Sequence, residues 1–169
     1  YLRLLLEALQ HASTCFAPKD IKPQDPELAT TLVQRIFGGR LRSRVTCHSC
    51  RHNSDTYDPV MDLSLDVRKG IHSVKQALEA FTAPEELADK YRCDQCHKSV
   101  NATKRFSIEQ TPMVLTVHLK RFGIFGNKIN KPISYAERLQ LGRYMSERTA
   151  DTDAYRLYAI VHHLSLIHI

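Results

Sequence analysis

Thr46-Cys-His-Ser-Cys50 and Tyr91-Arg-Cys-Asp-Gln-Cys96 each hold a Cys-x-x-Cys pair, Cys47 with Cys50 and Cys93 with Cys96. A turn of that spacing aims two thiolates at one point, about as far apart as two corners of a tetrahedron around Zn²⁺. Two such turns complete a closed four-sulfur site. The stretch between them, residues 51–92, is 42 residues long, far more than separates the pairs of a compact zinc ribbon. The metal would therefore pin two segments distant in sequence around a folded excursion, with metal binding and local folding coupled. The chain has 169 residues and five Cys, four of them in two pairs of identical spacing, which weighs against bystander thiols. An odd cysteine count, no signal peptide and no apolar run of membrane-spanning length weigh against disulfides and point to a reducing, intracellular compartment. His48, His52 and His97 flank the pairs. Any of them could replace a sulfur, although four Cys already fill the site.

A chain of 169 residues suits one domain, or one and a small appendage, and a hydrophobic content of 43% is enough for a core. The net charge of +6 raises nucleic-acid binding as a reading, but the cations are spread along the chain. The densest cluster, Arg40, Arg42 and Arg44, alternates with Leu41 and Ser43 as a strand would. A basic zinc-ribbon nucleic-acid binder therefore rests on charge alone.

The periodicity predicts an amphipathic helix over Tyr1–Ala12 with a stripe of Leu2, Leu5, Leu6 and Leu9. Lys19–Glu27, with Pro23 and Pro26, reads as a loop. Thr31–Phe37 is short and apolar and ends at a Gly38-Gly39 turn or bulge signal. Leu41–Thr46 reads as a strand entering the first knuckle. Ser54–Val67 reads as extended, with Met61, Leu63, Leu65 and Val67 on a buried face. Ser73 with Gln76 forms a capping box that starts a helix through Val74, Ala77, Leu78 and Phe81, stopped by Pro84. Thr103–Glu109 and Met113–Phe122 read as strands, the second with Met113, Leu115, Val117 and Leu119 on one face. Gly123–Pro132 reads as a loop, and Tyr155–His162 as a last strand with Leu157, Ala159 and Val161 on one face. Strands dominate without a βαβ rhythm, so the expected class is α+β with mostly antiparallel sheets.

With these residues placed, the chain resembles the catalytic domain of a ubiquitin-specific protease, a papain-like cysteine deubiquitinase. The resemblance is carried, in the family's order, by Tyr1-Leu-Arg-Leu-Leu-Leu-Glu-Ala-Leu-Gln10, Ile36-Phe-Gly-Gly-Arg-Leu-Arg-Ser-Arg-Val-Thr-Cys-His-Ser-Cys50 and Ser54-Asp-Thr-Tyr-Asp-Pro59. The second knuckle, Pro112-Met-Val-Leu-Thr-Val-His-Leu-Lys-Arg-Phe122, Lys128-Ile-Asn-Lys131 and Tyr155-Arg-Leu-Tyr-Ala-Ile-Val-His162 follow. It implies antiparallel fingers over about residues 40–110 with structural Zn²⁺ on Cys47, Cys50, Cys93 and Cys96, and a palm over about 111–163. Residues 164–169 depart from the family and read as a truncation or cloning scar. The segments around Gly38 and Tyr57 resemble the branch containing nucleolar deubiquitinases, implying the nucleus, its nucleolus included, or the cytoplasm. The implied partners are ubiquitin or ubiquitinated proteins, with no membrane.

The departures bear on catalysis. The family's nucleophile box, Asn-Thr-Cys-Phe, and its Gly-His-Tyr box are both absent, so the expected set of catalytic residues in this chain is none. Ser13-Thr-Cys-Phe16 imitates the first box, but Cys15 follows the end of a helix instead of opening one and lacks the preceding Asn. A helix N-terminus is what would lower a thiol's pKa. His162 and His163 precede the place of the family's base, and His118 sits in an apolar run as a structural residue. The resemblance thus implies a fragment of an enzyme that hydrolyses bonds to the C-terminal Gly of ubiquitin. The alternative is a non-catalytic ubiquitin-binding module.

Overall fold

The computed structural model describes residues 2–14, 31–67, 70–122, 128–147 and 154–162. Cys15, the Lys19–Glu27 loop, Gly126-Asn127, His163 and 164–169 lie outside them. In chain order the described elements are helices α1 (Leu2–Ser13) and α2 (Leu32–Phe37), strands β1 (Gly39–Cys47), β2 (Asn53–Val60) and β3 (Leu63–Asp66), and helix α3 (Val74–Phe81). Strands β4 (Glu85–Glu86), β5 (Tyr91–Arg92), β6 (Ser99–Val100), β7 (Ala102–Gln110), β8 (Val117–Lys120) and β9 (Arg138–Gln140) follow. A 3₁₀ turn at Gly142–Tyr144 and strand β10 (Ala154–Arg156) close the order.

The alternation read in Leu41–Thr46 places Leu41, Ser43, Val45 and Cys47 on one face of β1 and the arginines on the other. β1 is flanked by β2 and β7, both antiparallel, in a sheet of order β2-β1-β7-β4. Its entry is set by glycine. A Cβ on Gly38 would fall 2.3 Å from the Gln34 carbonyl oxygen, and one on Gly39 2.9 Å from that of Gln110. Without side chains there, α2 runs directly into β1, and the β7 register shifts between Arg40 and Leu41 as a bulge. Thr31–Phe37 is thus a helix, capped by the Thr31 hydroxyl accepting from the Gln34 N–H at 3.2 Å.

Behind the sheet, β3 pairs parallel with β8 through Leu63↔Val117 to Asp66↔Lys120. It is the one parallel pair between described strands in an otherwise antiparallel set. A parallel pair needs a long crossover, and α3 with β4 to β7 supplies it. Leu63, Leu65 and Val67 are buried as their alternation predicted, at 3%, 0% and 0% exposure. Leu63 and Leu65 pack with Leu41, Ala77, Leu78, Ile108, Leu141 and Tyr144 in one core. The α3 stripe is also as read: Ala77 and Leu78 are buried, and the Phe81 ring stacks on Phe106 at 5.5 Å. Its cap is offset by one residue. The Ser73 hydroxyl accepts from the Gln76 N–H, but the Gln76 side chain accepts from His72, not from Ser73.

Four expectations are corrected. Met113–Phe122 is not one strand: only Val117–Lys120 has β3 beside it. Ahead of it the Val114 N–H donates to Ile36 at 2.9 Å, and Met113 is 77% exposed. Ser54–Val67 breaks at Met61-Asp62, where the chain leaves the fingers sheet for β3. Tyr155–His162 is a strand only at Ala154–Arg156. The Leu157 N–H to the Glu137 carbonyl continues its pairing with β9 by one bond, and no further ladder is formed by 158–162. An extended segment with no neighbour leaves its amides to solvent, and Tyr158 and Val161 are exposed. On α1 the buried line is Leu2, Leu6 and Gln10, at i, i+4 and i+8, while Leu5 and Leu9 are exposed. The Gln10 side chain accepts from the Thr31 hydroxyl at 2.8 Å and ties α1 to α2.

Across the sheet Arg44 faces Arg105 on one side and Asp55 on the other. Its guanidinium takes Asp55 in a two-pronged bond at 2.7 and 2.6 Å, while Arg105 turns away to the Thr82 carbonyl. The Arg44 hydrogen bonds hold the Asp55 carboxyl below the usual carboxylate range. A depressed folded pKa stabilises fully above the unfolded value of about 3.9 and ceases to as pH falls through the folded one. Asp55→Asn should therefore cost up to about 1 kcal/mol at neutral pH. That gap should close below about pH 4 in urea melts run across pH. Leu65→Ala, at a fully buried site, should cost about 2–5 kcal/mol in the same melts.

Candidate metal centre

The first knuckle closes the β1–β2 hairpin and the second closes the β5–β6 hairpin. Both fold by the same hydrogen bonds. The first cysteine's carbonyl accepts from the residue four later, Cys47 from Arg51 at 3.0 Å and Cys93 from His97 at 2.8 Å. Its N–H donates to the carbonyl five later, to His52 at 2.9 Å and to Lys98 at 3.1 Å. The residue after each second cysteine is left-handed: φ is 61° at Arg51 and 55° at His97. Glycine is the residue that signals such a position, and neither knuckle has one there, so this feature was hidden in the sequence.

Cys47 lies opposite Ala102 at the start of β7, and the His48 N–H donates to the Asn101 carbonyl at 3.1 Å. These bonds bring the two knuckles face to face. All four sulfurs lie within 4.8 Å of one another, with Cys50 3.6 Å from Cys93 and Cys47 3.9 Å from Cys96. A Zn–S bond of about 2.3 Å implies a tetrahedron edge of about 3.8 Å, so the four residues fit a Zn²⁺. Cys47 and Cys93 are fully buried, Cys96 is half-buried and Cys50 is exposed.

The charges argue for the same occupant. The Cys50 backbone N–H leads in drawing the Cys47 thiol down to about 7. The Cys50 thiol feels the His52 backbone N–H in the same direction. Desolvation and the three neighbouring sulfurs outweigh it and push Cys50 up to about 12. One thiolate forms easily, but a second beside it is resisted by like charge. A dication inverts that balance, so binding should release protons.

The flanking histidines do other work. His48 Nε2 lies 2.6 Å from the Thr103 hydroxyl, which donates to Glu86 at 3.0 Å, so the ring fastens the edge strand β4. His52 and His97 contribute backbone to the knuckle turns. Asn101, Thr103 and Glu86 carried no sequence signal, because their roles exist only once β4 and β7 are paired. His118 is exposed on the outer face of β8, its Nδ1 3.0 Å from the Ser64 hydroxyl and 3.8 Å from Asp62 Oδ2. His162 is exposed; Cys15 and His163 are outside the described residues.

Residues 1–167 match the family profile described as Ubiquitin carboxyl-terminal hydrolase. The chain belongs to that family. It is 48% identical over 138 residues to human ubiquitin carboxyl-terminal hydrolase 42, covering 80% of this chain and 10% of that protein. It is 44% identical to ubiquitin carboxyl-terminal hydrolase 15 of Arabidopsis thaliana, covering 99% and 18%. The chain thus spans under a fifth of these curated relatives. Among solved structures it is similar to a SAGA DUB module made of a Ubp8 point variant, a shortened Sgf11, Sus1 and Sgf73, with a TM-score of 0.76 and 27% identity over 92% of this chain and 37% of that one. It also resembles a SAGA DUB module of Ubp8, Sgf11, Sus1 and Sgf73 bound to monoubiquitin, with a TM-score of 0.64 and 32% identity over 72% and 29%. The expected α+β fold of a ubiquitin-specific protease catalytic domain is therefore the observed one.

The left-handed position in the second knuckle can be tested alone. His97→Gly should leave stability within about 0.5 kcal/mol, because relief of the backbone offsets chain entropy. His97→Val should lower it by about 1–2 kcal/mol. Denaturant titration of both variants measures the difference.

Proposed function

We propose that this chain is the zinc-stapled fingers and much of the palm of a deubiquitinase. In the whole protein a cysteine thiolate would attack the carbonyl of ubiquitin's C-terminal Gly, with a histidine as base and then acid and an oxyanion hole for the developing charge. The observation that carries this reading is the four-sulfur cluster joining the two hairpins of a chain whose family match covers residues 1–167. The neighbours bound to monoubiquitin and ubiquitin aldehyde supply the ligand. When bound, Zn²⁺ cross-links the fingers, and four thiolates leave it no open position for a reaction. The reduced cluster fits a nucleus or cytoplasm.

The second reading, a ubiquitin-binding module without its own catalysis, is favoured by one observation. All four described cysteines converge on one another, so none of them serves as nucleophile. The grip would come from β1 and β2, where Thr56, Tyr57 and Asp58 are exposed, with the palm segment 113–122 behind them. Nucleic acid has net charge alone in its support.

Elemental analysis of chelator-free protein should find one zinc per chain, and Cys93→Ser should lose it and loosen residues 44–106 more than α1. The zinc-loaded chain should leave fluorogenic ubiquitin uncleaved yet shift resonances of labelled ubiquitin, with Kd above roughly 10 μM. Cleavage abolished by Cys15→Ala would overturn the non-catalytic reading. An unshifted ubiquitin spectrum at roughly 500 μM chain would overturn the grip.

A further inference from the structure

We propose that Cys50 is a peroxide-sensitive modification site whose oxidation is resolved by Cys93, exchanging the four-thiolate centre for a disulfide between the two knuckles. The inference rests on the zinc reading above. The four sulfurs are unequal in access: Cys47 and Cys93 are wholly buried, Cys96 is half-buried and Cys50 is exposed. An oxidant arriving from solvent meets Cys50 first; bound Zn²⁺ would hold all four sulfurs as thiolates, so exposure is what separates them. The sulfur 3.6 Å from it is not its own partner in the turn but Cys93 of the other knuckle. Cys93 cannot be reached from outside, yet it lies within reach of a neighbouring sulfur that has been oxidised.

The chemistry balances. The Cys50 thiolate attacks hydrogen peroxide: an S–O bond forms, the O–O bond breaks, and the departing hydroxide takes a proton to become water. The Cys93 thiolate then attacks the Cys50 sulfenic acid: the S–S bond forms, the S–O bond breaks, and a second hydroxide leaves as water with a second proton. Peroxide is reduced to two waters and two thiolates are oxidised to one disulfide. Cys47 and Cys96 remain, a two-sulfur remnant of the site. The disulfide spans the same gap the metal spanned, so the knuckles stay joined, and a thiol reductant restores the four thiolates.

The test uses the full chain after its zinc content has been measured. Stoichiometric hydrogen peroxide should release zinc to a chromophoric chelator, and peptide mapping should find Cys50 joined to Cys93. Cys50→His keeps a four-ligand site without the exposed sulfur and should slow release at least about tenfold. Cys96→His should form the same disulfide within about twofold of the wild-type rate. A disulfide within one knuckle, between Cys47 and Cys96, or through Cys15 would overturn the proposal. So would unslowed release from Cys50→His. Mapping in the unmodified chain decides the pairing even if a variant fails to fold. A chain that holds no zinc at the outset would overturn the zinc reading and this inference with it, whereas a zinc-loaded chain with a different disulfide overturns this inference alone.

Discussion

Four sulfurs gathered within 4.8 Å form the constraint where the two cysteine hairpins meet. Such a cluster is unstable as four thiolates and gains little as four thiols. A dication would make it favourable by converting mutual repulsion into shared attraction. The two turns that carry it share one hydrogen-bond pattern and one left-handed residue each, so the centre is two copies of a local unit brought together by β1 and β7. The 42-residue excursion between them holds β2, β3 and α3. Closing the loop at the sulfurs would therefore also restrain β3 and α3, which supply much of the core.

Packing carries the remainder of the fold. Leu63 and Leu65 on β3, Ala77 and Leu78 on α3, and Leu41 and Ile108 from the fingers sheet meet in one cluster. The β3–β8 pair and the four-stranded sheet thereby share one hydrophobic core. The arginine row on the far face of β1 sends two of its guanidinium groups to different partners: Arg42 to the Ser146 carbonyl and Arg44 to Asp55. Neighbouring Arg105 on β7 goes to the Thr82 carbonyl. A basic run that suggested nucleic acid by count is, in two of its three members, internal wiring of the sheet.

Features that depend on local chemistry were legible in the order of residues. Cysteine spacing announced the four-sulfur cluster, and alternation in Leu41–Thr46 and in Leu63, Leu65 and Val67 announced buried faces. Ser73 and Gln76 announced the start of α3. Each of these signals is complete within about one turn or one strand, because side-chain direction follows backbone period. The ordered set of motifs identified the family, which the profile match over residues 1–167 bears out.

Where extended segments become strands was settled by long-range pairing. Met113–Phe122 and Tyr155–His162 have strand-like alternation, but a strand is completed by a neighbour's amides and carbonyls. Only Val117–Lys120 and Ala154–Arg156 have such a ladder. The same holds for the parallel β3–β8 pairing and for the His48–Thr103–Glu86 linkage. It holds too for the order of exposure among the four cysteines: all four read alike as letters, and only the packing of two hairpins against each other leaves Cys50 exposed while Cys47 and Cys93 are sealed. Pairing partners and burial are properties of segments far apart in the chain, so no local period encodes them.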